Sequence, residues 1–361
     1  MPSDGLAGDS WLFLDDFFIK NTPSRVSLKM PVQMELKQRE SIYNFLIKLG
    51  SKLKLDGKTI LAATVYAHRY YMRMPISLSK YYVASAAIAI SCKLNDNYRQ
   101  PDKIALMACN IKNPNPSRII DEHSDMFWRW RDQLLFREEL ILKTLNFELN
   151  LSLPYNLKDN LLEIETNEEF DEFAPELLKN CLALIEILSS LPILVAYDTY
   201  TLFGTMIIIS LYEKSKNLPR NYLEKNLSID TNQCWNCYLY ILRLLKYSKS
   251  DSSLKSNELA IKRIPNIDKD IFFAIGNGYN EEIPDQLHHD SSKTLSEFVE
   301  GQESILQQEK SPQSQEILPD AQEALPEVQG TLPDVQVTLP EVQGTLPEIQ
   351  GTLPEVQGTL T

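Results

Sequence analysis

The stretch from Tyr82 to Leu94 constrains the fold of this chain more than any other. Val83, Ala84, Ala86, Ala87, Ile88, Ala89, Ile90 and Cys92 leave it without a polar face. A helix that is apolar all round is stable only where other elements enclose it. The same pattern returns at Leu202 to Leu211, through Phe203, Met206, Ile207, Ile208 and Ile209. Two such helices in one chain predict two successive bundles, each built round an enclosed central helix.

The surrounding sequence agrees. Leu36 to Leu49, Asp56 to Met74, Trp128 to Phe147, Leu177 to Leu188 and Trp235 to Tyr247 carry apolar residues at three- and four-residue spacings, and no alternating strand pattern of useful length occurs between Val32 and Lys249. The fold class is therefore all-α. The periodicity lapses over Glu148 to Leu153 and restarts after Pro154, which divides the chain. The expected order is a leader over 1–31 packing on the first bundle, a first bundle over 32–150 and a second over 151–250. A transitional, mostly irregular stretch follows over 251–317, with a short element around Ile271 to Ile275.

From Leu318 onward the sequence repeats every seven residues, in six copies beginning Leu318-Pro319, Leu325-Pro326 and so on to Leu353-Pro354. Leu and Val three apart imitate a coiled-coil heptad, but a proline in every copy costs a helix ~3 kcal/mol each time. The tail over 318–361 is expected to be extended and disordered. It also holds the acidity: from Asp290 onward there are 13 acidic and 2 basic residues, so −11 of the net −13 lies there. The remainder is nearly neutral and lacks the clustered Lys and Arg of a phosphate-backbone binder; Lys52, Lys54 and Lys58 are only a sprinkling. Direct nucleic-acid binding is not expected.

Other classes find little support. No apolar run approaches the ~18 residues of a membrane-spanning helix. Five scattered cysteines imply no disulfide framework, and the Cys234/Cys237 pair sits on an amphipathic helix with neither a βαβ frame nor a second pair for zinc, so core or half-buried packing is expected for both. His288 and His289 lack ligand spacing and are read as solvent-exposed. There is no Gly-rich phosphate loop, no H-E-x-x-H and no G-x-S-x-G. No cofactor, metal or catalytic group is expected.

Two residues break their local patterns. Glu138 shares a helical line with Leu134, Ile141 and Leu145, so a carboxylate interrupts an apolar stripe and needs a partner. Lys93 is the first long cation after the enclosed run that begins at Val83. Taken singly, Lys93 is more simply a cation at a helix C-terminus and Glu138 an edge residue paired along its own helix.

Together with the two-bundle order, these residues resemble the cyclin family, in its transcriptional branch of cyclins T and K and the fungal BUR kinase cyclin. Three stretches carry the likeness: Trp11 followed by Asn21-Thr22-Pro23-Ser24-Arg25; Val65-Tyr66-Ala67-His68-Arg69-Tyr70-Tyr71-Met72; and Leu140 to Leu149, ILKTLNFEL after its first leucine. Arg39 falls where the family's first box helix carries an arginine. The likeness is good over Trp11 to Leu153, architectural over Pro154 to Lys249 and absent beyond.

The resemblance implies two consecutive cyclin boxes and a non-catalytic subunit that activates a cyclin-dependent kinase. It implies that Lys93 and Glu138 reach the backbone of the kinase's regulatory helix and that Phe147 packs beside them. The implied partner is a kinase of the elongation type, acting on the C-terminal domain of RNA polymerase II and on elongation factors in the nucleus. After the lysine the family usually has two acidic residues, where this chain has Leu94-Asn95-Asp96, which bears on partner specificity. A cell-cycle cyclin would normally add a destruction signal and an apolar substrate patch. A cyclin-fold transcription adaptor would add a zinc ribbon and a basic face.

Overall fold

A computed structural model describes residues 11–13, 15–77, 79–113, 117, 119–166, 168–249 and 260–278. The chain divides into two units, Met1–Ile305 and Leu306–Thr361, and all described residues lie in the first. The repeat tail, His288 and His289 fall outside the described residues.

The first bundle comprises α3 (Val32–Leu53), α4 (Gly57–Arg73), α5 (Lys80–Leu94), α6 (Pro101–Ile111) and α7 (Asp125–Thr144). As its composition requires, α5 is the enclosed member and packs against α3, α4, α6 and α7. Ala84, Ala86, Ala87 and Ile88 have no exposed surface. Two of its helices start on side-chain caps: Asp56 accepts from the Thr59 amide at 2.7 Å and Ser124 from that of Phe127 at 3.2 Å.

The second bundle comprises α8 (Pro154–Leu162), α9 (Glu168–Leu188), α10 (Thr199–Glu213), α11 (Tyr222–Leu227), α12 (Thr231–Lys249) and α13 (Lys269–Asn277). Here α10 is central and contacts the other five. Gly204 on α10 is placed so that a Cβ would come within 2.5 Å of Ile229 Cδ1 and 3.2 Å of Cys234 Sγ. Cys234 and Cys237 are buried in this core, as their periodicity implied. Helix α9 begins well before Leu177 and runs through Pro175. Burial of Phe170 and Ala174 in the core offsets the backbone bond that proline removes.

Two boundaries differ from the sequence expectation. The second bundle continues past residue 250, because Phe272 and Ile275 of α13 are fully buried against α10 and α12. The leader does not pack on the first bundle alone. Trp11 lies in the first core, whereas Phe18, on α1 (Asp15–Lys20), lies in the second, and the Phe13 amide donates to Val195 O at 2.8 Å. A leader that clamps both bundles carries apolar anchors too short in span to show a helical period.

The leader is fastened by a buried charge network. Thr22 caps α2 (Pro23–Leu28), with Pro23 in its first turn, and its hydroxyl donates to Glu35 Oε2 at 2.7 Å. Glu35 Oε1 accepts from Arg39 Nε and Nη2 at 3.0 and 2.8 Å, both side chains being fully buried. Arg25 Nη1 stands 3.4 Å from Glu35 Oε2, and Ser24 Oγ accepts from the Ile76 amide at 3.0 Å. The Asn-Thr-Pro-Ser-Arg motif is thus the plug of this socket. Trp11 completes it: its indole Nε1 donates to Glu148 at 2.6 Å, and the Arg73 guanidinium lies 4.0 Å from its ring centroid.

Candidate functional site

Lys93 occupies the last turn of α5 and Glu138 the middle of α7, and the two form an ion pair through Lys93 Nζ and Glu138 Oε1. Lys93 does stand at a helix C-terminus, but Glu138 is not paired along its own helix: the carboxylate takes its partner from a neighbouring helix. The pair is asymmetric. The Glu138 side chain is 11% exposed and that of Lys93 46%, so the acid is anchored and the base reaches outward. An ammonium has three protons, and this contact uses one.

The pair sits in a stripe along α7. Trp128, Arg131, Leu135, Glu138 and Leu142 follow one another at alternating steps of three and four, which places them on one line of the helix. Trp128 and Leu135 are exposed. Arg131 Nε donates to Asp102 Oδ1 at 2.7 Å and its guanidinium lies 5.4 Å from the Trp128 ring, which fixes the upper end. Leu94, next to Lys93, is half exposed.

At the lower end the chain leaves α7 through two successive residues with positive φ, Asn146 at 52° and Phe147 at 59°. The Phe147 amide bonds back to Leu142 O at 2.9 Å. This turn holds an aromatic ring 65% exposed, in a backbone conformation that costs a bulky residue ~1–2 kcal/mol. A strained, outward-facing phenylalanine beside an apolar stripe with one charge pair is an arrangement suited to a partner's surface rather than to chemistry. Trp128 and Leu135 were not among the sequence candidates. Their signal was present as the spacing 128, 131, 135, 138, 142, but only burial separates an exposed line from a core line.

Among the described residues no group of three or more His, Cys, Asp or Glu could hold a metal, and no helix is long and apolar enough to cross a membrane. The buried thiols of Cys92 and Cys109 are both pushed up to about 11 and those of Cys181 and Cys234 to about 12, mainly by burial. They have the character of core residues.

Paired helical bundles, the first carrying a charge pair in a partly exposed line of α7, have a cyclin-box architecture. Residues 13–150 match the family model described as "Cyclin, N-terminal domain". The chain is 32% identical over 156 residues to cyclin pch1 of Schizosaccharomyces pombe, covering 43% of this chain and 45% of that one. It is 27% identical over 156 residues to human cyclin-T2, covering 43% and 21%. To the BUR protein of Kluyveromyces lactis it is 23% identical over 218 residues, covering 55% of each. The likeness to cyclin T and to the fungal BUR cyclin is therefore borne out. The matched part spans less than two thirds of each of these relatives. Among solved structures, a chain of the yeast RNA Pol II CTD kinase CTDK-1 complex superposes with a TM-score of 0.50 at 13% identity, over 69% of this chain and 85% of that one. That similarity is one of fold.

Proposed function

We propose that this chain is the regulatory cyclin subunit of a cyclin-dependent kinase that acts in RNA polymerase II transcription elongation. The observation that carries the reading is the Lys93–Glu138 pair, set in the α7 stripe, with exposed Phe147 just past the end of that helix. The family match over 13–150 and the relatives pch1 and cyclin-T2 support it.

The groove takes the kinase's regulatory helix. Leu135, Leu142 and Phe147 supply apolar area. Lys93 donates its two remaining protons to carbonyls at the end of that helix, and Glu138 both orients the ammonium and offers its second oxygen to a backbone N–H. Held inward, the regulatory helix brings the kinase's own lysine–glutamate pair into register on ATP. The cyclin contributes binding energy and no catalytic group. Its place of action is the nucleus, in company with the kinase, and the substrates are the polymerase C-terminal domain and elongation factors.

The test is co-expression with candidate elongation-type kinases, using the double variant Lys93→Glu, Glu138→Lys. The swap preserves an internal ion pair and so spares the fold, but it reverses the polarity presented to the partner. Kinase capture and activity should both fall by about a hundredfold, as for truncation of an interface hot spot. Undiminished activity in a folded double variant would remove the site.

A further inference from the structure

A cleft of about 700 Å³ opens where the two bundles meet. Leu12 lines it from the leader, Val65 and Arg69 from α4, Leu151 and Leu153 from the linker between the bundles, and Tyr200 from α10. A volume of about 300–1,000 Å³ is typical of small-ligand cavities, which favour the junctions between domains. Arg69 is the only base and Asp198 the only acid among the described lining residues, and neither cancels the other. Asp198 is committed to the start of α10, where its Oδ1 accepts from the Thr201 amide at 2.9 Å and its Oδ2 from the Thr201 hydroxyl at 2.6 Å. Arg69 is 7% exposed. Its Nη1 donates to Asn150 O at 3.4 Å, and its Nε is buried without a hydrogen-bond partner. Among the described residues Arg69 forms no ion pair. Burial pulls its pKa down to about 10, and Tyr66 and Glu148 offset only part of that. Its Cζ lies 5.5 Å from the Trp11 ring centroid, so the ring covers a face of the guanidinium and leaves an N–H on its edge to be filled. A buried N–H without an acceptor is costly, and more so on a charged group.

We propose that this cleft binds a small aromatic monocarboxylate, with its carboxylate on Arg69. A carboxylate matches the edge of a guanidinium and would accept from the idle Nε. One cation calls for one negative charge. A phosphate monoester, at about −1.5 to −2, would bring an excess into a cleft that already holds Asp198. The walls suit an aromatic body: Val65, Leu151 and Leu153 are apolar, and Tyr200, 44% exposed, offers a ring to pack against. A peptide strand is poorly served, because pairing with the linker would need its carbonyls open. Leu149 O already accepts from the Tyr66 hydroxyl at 2.7 Å, Asn150 O from Arg69 and Ser152 O from the Thr199 hydroxyl. Since the walls belong to both bundles, a bound acid would tie one to the other and stabilise both against unfolding. The cleft uses none of the residues of the Lys93–Glu138 line, and the argument is independent of the function proposed there.

The test titrates the full-length chain with benzoate, phenylacetate, cinnamate and naphthoate, each beside its neutral primary amide, and follows binding by saturation-transfer NMR. At least one acid should bind about tenfold more tightly than its amide and should raise the unfolding temperature. Arg69→Gln should abolish that preference. Because Arg69 also packs against Trp11, Tyr200→Ala, at a half-exposed side chain, is the second arm. It should weaken the acid by about threefold and keep the preference over the amide. Failure of all four acids to bind overturns the proposal, as does equal binding of acids and amides. Full acid affinity in Tyr200→Ala, or a preference that survives in a folded Arg69→Gln, overturns it too. Naphthyl phosphate binding more tightly than naphthoate would overturn the single-charge assignment, and a glutamate-centred nonapeptide library binding more tightly than every acid would overturn the assignment to a small molecule.

Discussion

His68 Nε2 donates to the carbonyl oxygen of Ser189 at 2.9 Å, tying the middle of α4 in the first bundle to the end of α9 in the second. The tautomer follows from the other nitrogen: Nδ1 lies 3.0 Å from Arg39 Nη1, and a guanidinium can only donate. The ring is therefore neutral. Burial and the Arg39 charge push its pKa down to about 3.

This predicts a pH dependence of definite sign. The unfolded chain binds a proton at His68 near pH 6.5 and the folded chain does not until about pH 3, so stability is lost as pH falls through that window. Between pH 6.5 and 5.5 the loss should be about 1 kcal/mol from this residue. Denaturant titrations at the two pH values measure it. A His68→Gln variant, less stable at neutral pH, should show that much less pH dependence.

Glu35 compensates two guanidinium groups and accepts the Thr22 hydroxyl. Glu35→Gln leaves Arg39 buried without its counter-charge, which should cost about 3–5 kcal/mol. Thermal unfolding reads the loss. Limited proteolysis should show the leader released first.

Trp11 is 2% exposed and makes one hydrogen bond and two guanidinium contacts. Trp11→Ala should destabilise the first bundle by about 3–5 kcal/mol. Equilibrium unfolding followed by circular dichroism provides the measurement.

Phe147 separates stability from function. Phe147→Gly removes the positive-φ cost and should leave folding unchanged or improve it by about 1 kcal/mol. It should weaken kinase capture by about tenfold. A variant that folds better and still captures the kinase fully would show the ring to be idle.

Much of the architecture is legible from local patterns. The apolar runs 82–94 and 202–211 could fold only as enclosed helices, and they are α5 and α10. Pro154 marks the start of the second bundle at α8. The leader motif and the pattern-breaking Lys93 and Glu138 also stand out in the sequence. Less visible were α6, whose Ile104, Ala105 and Ala108 make only a short buried stripe, and α13, which follows a stretch without periodicity.

Helix type and enclosure were determined by the sequence alone, because they depend on which side chains recur at 3.6-residue spacing and on whether any polar face remains. Partnership was decided only in three dimensions. That Glu138 pairs with Lys93, 45 residues away, that Phe18 enters the second core and Trp11 the first, and that Lys80 and Lys112 meet over Tyr81 all depend on how helices cross. A one-dimensional period fixes which face is apolar, but not which neighbour covers it or which charge lies opposite.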